Sequence, residues 1–251
     1  VTIRRRLSAL SSLFAHLVRY GVVTHSPVQA VERAAINRRE GMTPALTPQQ
    51  ARALLEAPDS ATIQGLRDRT MLSVGLQVGL RRSEIIRLKV RDLLTTHGCD
   101  ALRIIRKGGK RDIIAIHPET AQRLRADLQA AGHAHDRDGP LFRPMSIGRE
   151  PHPIRRQLGP DGVDYVVEKY INQLGLGRGY SSHSMRATFI TTALENGAKL
   201  EDVQRTLGHA DPATTQLYHR GRFTPQKSAA LVVDYGDTEK GGGYDTEGAR
   251  P

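Results

Sequence analysis

Tryptophan is absent from the 251 residues, phenylalanine occurs four times and cysteine once. The lone Cys99 lies between Gly98 and Asp100. It excludes an internal disulfide and a cysteine-rich metal centre, and it fits a reducing cytoplasm. So few large aromatic faces leave the chain poorly equipped to stack unpaired bases. No apolar run approaches the roughly 20 residues that cross a bilayer, and no signal peptide opens the chain, so a membrane role is disfavoured. Acidic residues are also in deficit: 26 against 37 lysines and arginines, a formal net charge of +11. That balance favours a polyanionic partner such as nucleic acid, although a basic surface without such a partner carries the same charge. A Walker-type phosphate loop is missing, as is the clustered Asp/Glu constellation of metal nucleases.

What is present is mostly helical pattern. Ile3, Leu7, Leu10, Leu13, Phe14, Leu17 and Val18 recur at helical spacing over residues 3–20, and Gly21 ends the run. Ser26-Pro27 has the cap and first-turn proline of a second helix reaching about Ala35. Residues 1–40 hold seven arginines and two glutamates, a local charge of +5. Two such helices seldom bury enough surface to fold alone. The chain begins inside a helical pattern, which suggests that earlier helices of this first unit are missing.

A linker follows, then Thr47-Pro48-Gln49-Gln50, a capping box that opens a helix to about Glu56. The pattern predicts helices over 63–78 and from Arg81 to about Leu88, broken at Gly79-Leu80. Ala101–Arg106 and Arg111–Ile116 are β-prone runs around Lys107-Gly108-Gly109-Lys110 and read as a hairpin. Helices are expected over 118–130 and 163–174, with a loop between them that carries a short strand at Leu141-Phe142. Further helices are expected from Ser181 or Ser182 to Glu195, over 200–207, after Asp211-Pro212, and over 226–235. Residues 236–251 read as a disordered tail. The expected fold class is mainly α with a small antiparallel β-sheet.

Several residues have chemical potential, each with an ordinary alternative. His183 and Arg186 are three apart on one helix face near an N-terminus, an end that attracts phosphate; a solvated face would look the same. His209 follows Leu207-Gly208 at a helix stop, where a plain turn histidine is common. Tyr218 lies nine residues on, and most helical tyrosines serve packing. Arg81 sits at the break after Gly79-Leu80, with Arg82 as a rival and Glu84 placed to orient it; a surface ion pair would contribute little. Lys107 and Lys110 compete at the hairpin tip, where a solubilising lysine is usual.

Their order is more specific than any one of them. Gly79-Leu80-Arg81-Arg82-Ser83-Glu84, a lysine-bearing hairpin, His183-Ser184-Met185-Arg186, Leu207-Gly208-His209-Ala210 and then Tyr218 together resemble the tyrosine recombinase (phage integrase) family. The resemblance implies a tyrosine recombinase catalytic domain over residues 41–235. Residues 1–40 would be the C-terminal part of a helical (SAM-like) core-binding domain that clamps the other face of the duplex.

It also implies roles. Tyr218 would attack the scissile phosphate to form a 3′-phosphotyrosyl link. Arg81 and Arg186 would bind the non-bridging oxygens and His209 would donate to the same phosphate. His183 would assist proton transfer from the tyrosine, and Glu84 would support Arg81. Lys107 would protonate the leaving 5′-oxygen; it is preferred to Lys110 because the family's lysine usually opens the turn. No metal, ATP or other cofactor is implied. The partners implied are double-stranded DNA, three further copies in a DNA-bound homo-tetramer, and accessory DNA-bending or excision factors, in a bacterial cytoplasm at the nucleoid. The helix at 226–235 would dock on a neighbouring copy. Two other readings stay open: a monomeric type IB topoisomerase with the same chemistry, and a non-catalytic DNA-binding remnant of a mobile element.

Overall fold

The helix at Ile63–Val78 is the axis of the larger unit, and its sequence explains why. Gly65, Met71, Leu72, Val74, Gly75, Leu76 and Val78 line several faces, and nearly every residue from Gly65 to Val78 is buried. A helix without a polar face has to be surrounded. Its glycines permit the closest approaches: a methyl group on Gly75 would lie 2.5 Å from Met185, and one on Gly65 would overlap the Asp59 carbonyl.

The computed structural model describes residues 2–31 and 43–208. The chain divides into two compact units, residues 1–42 and 43–251. In the first, α1 runs Thr2–Arg19 and ends at Gly21, whose φ is +70°. The helix expected from Ser26 is not formed over its described part. Pro27–Ala30 are turns closed by i→i+3 bonds, Gln29 N to Ser26 O (3.2 Å) and Val31 N to Val28 O (3.3 Å). A helix of the expected length, under roughly 12 residues, is marginal unless tertiary packing supports it.

In the second unit, α2 (Pro48–Glu56) opens on the expected capping box, Thr47 with Gln50. The central helix is α3 (Ile63–Val78), followed by α4 (Arg82–Arg87). Three strands form one antiparallel sheet in the order β1 (Leu93–Thr96), β2 (Cys99–Ile105), β3 (Arg111–Ala115). The helices α5 (Pro118–Ala130), α6 (Gly162–Gln173), α7 (Ser182–Glu195) and α8 (Leu200–Leu207) follow. Helices α2, α5 and α7 pack around α3, while α4 and α5 touch β2. The mainly helical fold with a small antiparallel sheet is therefore as expected.

Two local expectations differ. Strand β1 was not anticipated; it pairs Leu93 with Leu102 and Thr96 with Cys99 across a two-residue turn, His97-Gly98, in which both φ values are positive. Four residues with weak alternation become a strand only because β2 offers a partner. Conversely, Leu141 and Phe142 form no strand. Both are buried, and Leu141 N donates to Leu88 O (2.8 Å), but the pairing stops at a single bridge between Lys89 and Pro140. Pro140 and Pro144 flank the pair and donate nothing to a ladder. The expected helix carrying Tyr218, the helix at 226–235 and the tail at 236–251 lie outside the described residues.

Candidate active site

The site is built where α3 and α8 end. Each helix stops on a glycine in the left-handed region, Gly79 (φ +67°) and Gly208 (φ +59°). The last carbonyls of a helix lack intrahelical partners and carry its negative dipole end. Here arginines occupy them. Arg186, buried on α7, donates from Nη1 to Gly79 O (2.6 Å) and from Nη2 to Leu207 O (2.9 Å). Arg81 Nη1 also reaches Leu207 O, at 3.4 Å. The structure thus brings Arg81 and Arg186, 105 residues apart in sequence, onto one acceptor immediately before Gly208 and His209.

Arg81 precedes α4 with extended backbone, and Glu84 folds back on it. Glu84 Oε2 accepts from the Arg81 backbone N–H (2.8 Å) and Oε1 accepts from Arg81 Nη1 (2.8 Å). The carboxylate is buried, whereas the Arg81 side chain is 37% exposed and reachable by a solvent-borne anion. The neighbouring Arg82 points elsewhere. Its Nη1 meets Asp161 (3.1 Å) and Asp164 (2.5 Å) at the start of α6. Asp164 also accepts from Ser182 N (2.8 Å), so it anchors the first turn of α7. Burial pushes the Asp164 carboxyl up, but hydrogen bonds from Ser182 and then Arg82 outweigh it and hold the group below its ordinary value. Of the two adjacent arginines, Arg81 therefore shares the Leu207 carbonyl with Arg186, while Arg82 is held by the carboxylates of α6.

Ser181 caps α7: its side chain accepts from His183 N (3.3 Å), and Ser184 Oγ accepts from Ser181 N (3.1 Å). One turn of helix separates exposed His183 from buried Arg186. The Lys107–Gly109 turn joins β2 to β3, with φ near +82° at Gly108 and +81° at Gly109. Of the two lysines, Lys110 pairs with Asp112 at 3.4 Å. His209 and Tyr218 lie outside the described residues, His209 directly after Gly208.

One residue of the cluster escaped the sequence reading. Arg106 is 5% exposed and donates to Asp112, to Glu84 and to the Thr206 carbonyl. The signal was in the alternation. Leu102, Ile104 and Arg106 share the inward phase of the strand, and all three are buried. An arginine in that phase requires buried partners. An open cleft between α4, the β2–β3 hairpin and α8 is lined by Arg81, Glu84, Arg106, Lys110, Thr206 and Gly208.

With this geometry in hand, comparison with known proteins is informative. Residues 44–224 match the model of the phage integrase family. The tyrosine recombinase XerC of Pelobacter propionicus is 33% identical over 215 residues, which cover 85% of this chain and 67% of that protein. The tyrosine recombinase XerD of Listeria monocytogenes is 30% identical over 217 residues, covering 86% and 70%. Among solved structures, the XerA recombinase superposes with a TM-score of 0.57 at 25% identity, covering 73% of this chain and 63% of that one. A lambda integrase tetramer bound to a Holliday junction superposes with a TM-score of 0.60 at 17% identity, covering 82% and 57%, a likeness of fold. The chain therefore spans about two thirds of these recombinases and less of the solved chains.

Proposed function

We propose that this chain, which belongs to the phage integrase family, breaks and rejoins DNA strands at a specific site through a covalent link to Tyr218. The observation that carries the reading is the convergence of Arg81 and Arg186 on the Leu207 carbonyl, beside the Gly208-His209 step that leads toward the tyrosine. Two guanidinium forks on one acceptor make a place where a phosphate with two non-bridging oxygens can be gripped.

The step balances as follows. The Tyr218 oxygen bonds to the scissile phosphorus and the bond from phosphorus to the 5′-oxygen breaks. An ordinary tyrosine, with a pKa of about 10, must lose its proton as it attacks. His183, exposed at the start of α7, takes it or passes it to water. The departing 5′-oxygen receives a proton from Lys107. Arg81, Arg186 and His209 stabilise the charge that gathers on the phosphoryl oxygens, each such donor contributing roughly 100- to 1,000-fold in rate. Rejoining is the reverse attack by a 5′-hydroxyl, so the phosphotyrosyl bond conserves the energy and no ATP is consumed. Residues 1–42 act as part of the DNA clamp, and four copies assemble on DNA, as the lambda integrase tetramer does on a Holliday junction.

Trapping tests this directly. The protein is incubated with sheared DNA of its host genome, quenched with denaturant, and adducts are recovered and sequenced. A covalent adduct mapped to Tyr218 at a recurrent site is expected, with none from Tyr218→Phe. A protein that binds DNA but yields no adduct is not a recombinase.

A further inference from the structure

Arg106 has no place in the six-residue set, yet it adjoins Lys107 and bonds to three separate elements. Its guanidinium ties three elements together. Nε donates to Asp112 on β3 (3.1 Å), Nη1 to Glu84 on α4 (3.1 Å), and Nη2 to Thr206 O at the end of α8 (2.5 Å). Its backbone closes the Lys107 turn at both ends: Arg106 N donates to Lys110 O (2.7 Å), and Gly109 N donates to Arg106 O (3.1 Å). The chain leaving α8 passes against it, for a methyl group on Gly208 would lie 3.0 Å from Arg106 Nε.

A turn containing two glycines with positive φ has little restraint of its own. Lysine adds a flexible four-carbon stem. Something must hold the turn in register with the phosphate site, and Glu84 is the shared point. Its Oε2 accepts both Arg106 Nη1 and the Arg81 backbone N–H.

We propose that Arg106 is a positioning residue that locks the Lys107 turn to Glu84 and to the end of α8, so that the lysine meets the phosphate held by Arg81. The inference rests on the reading of Lys107 as the acid for the leaving 5′-oxygen. Only a planar fork spans these acceptors together; a lysine at 106 keeps the charge beside Glu84 and Asp112 but loses the simultaneous bonds. A shift of about 1 Å in a reacting group can cost about 100-fold in rate.

The test compares two nicked DNA substrates carrying the recovered site, one with the natural 5′-oxygen at the scissile position and one with sulfur there. A thiol has a pKa of about 8.5, far below that of an alcohol, so the sulfur leaves as thiolate without a proton donor. Arg106→Lys is expected to cleave the oxygen substrate roughly 10- to 100-fold more slowly than wild type and the sulfur substrate within about twofold. Lys107→Ala should show the same split, and Arg81→Ala should lose activity on both. Equal loss of Arg106→Lys on both substrates, through misfolding or through weakened phosphate binding, overturns the proposal. So does an undiminished rate on the oxygen substrate. Wild-type protein that cleaves neither substrate instead overturns the recombinase reading beneath it.

Discussion

Arg186 and Leu207 are joined by a 2.9 Å hydrogen bond from a buried guanidinium to a carbonyl at the end of α8. The same guanidinium holds the carbonyl of Gly79 beyond the end of α3. One side chain therefore satisfies two helix termini and aligns the segment that leads to His209. Replacing it disturbs the fold as well as the proposed phosphate grip, and that distinguishes it from Arg81.

This contrast can be measured. Arg186→Gln is expected to lower stability by about 3 kcal/mol, because hydrogen bonds made by a charged group contribute roughly 1.5–3 kcal/mol each. Arg81→Gln, whose partly exposed pairing contributes little, should change stability by less than about 1 kcal/mol. Both should reduce covalent adduct formation by roughly 100-fold or more. Urea unfolding and adduct yield, read on the same preparations, separate the two effects.

Gly79→Ala should damage the fold without touching a donor. The backbone there has φ +67°, and an added methyl would lie 2.6 Å from the Phe189 ring and 2.9 Å from Leu207. Left-handed backbone alone costs about 1–2 kcal/mol for a residue with a Cβ, and the overlap adds to it. A loss of at least about 2 kcal/mol in urea unfolding is expected; a loss under about 0.5 kcal/mol would show that α7 and α8 yield freely.

Asp127 on α5 predicts a pH dependence. It is 1% exposed, and neither carboxylate oxygen has a hydrogen-bond partner among the described residues. Burial, opposed by nearby Arg67, pushes its pKa up from 3.8 to about 7. The folded chain then binds a proton that the unfolded chain has released between about pH 4 and pH 7. Its contribution to stability is full below pH 4 and is lost as pH rises through 7, by at most about 4 kcal/mol. Asp127→Asn should flatten this part of the profile and be the more stable form at pH 8. Parallel wild-type and variant curves from pH 4 to 8 would show that the carboxyl is not buried in solution.

Thr47→Ala provides a contrast remote from the chemistry. Thr47 Oγ1 accepts from Gln50 N (3.2 Å) and Gln50 Oε1 accepts from Thr47 N (2.9 Å). Loss of the hydroxyl should cost about 1 kcal/mol while adduct yield per folded molecule stays unchanged.

Local rules made much of the chain legible. Capping at Thr47 and Ser181, glycine stops at Gly79 and Gly208, and helical periodicity depend on neighbours a few residues away, so α2 to α8 could be anticipated nearly to their ends. Strand β1 could not, because four residues acquire a partner only through pairing. The order of Arg81, Lys107, His183, Arg186, His209 and Tyr218 was likewise readable, since order is a property of sequence.

What sequence by itself determined was thus most of the helices, the family and the candidate residues. Tertiary structure decided which of two adjacent arginines joins Arg186 at the end of α8, by giving Arg82 to the carboxylates of α6 and Arg81 to Glu84 and Leu207. It also disclosed Arg106, whose three acceptors come from residues 6, 22 and 100 positions away. The physical reason is the same in both cases. A guanidinium, half-exposed or buried, settles where acceptors converge on it, and convergence across such separations exists only once the helix ends have been packed together.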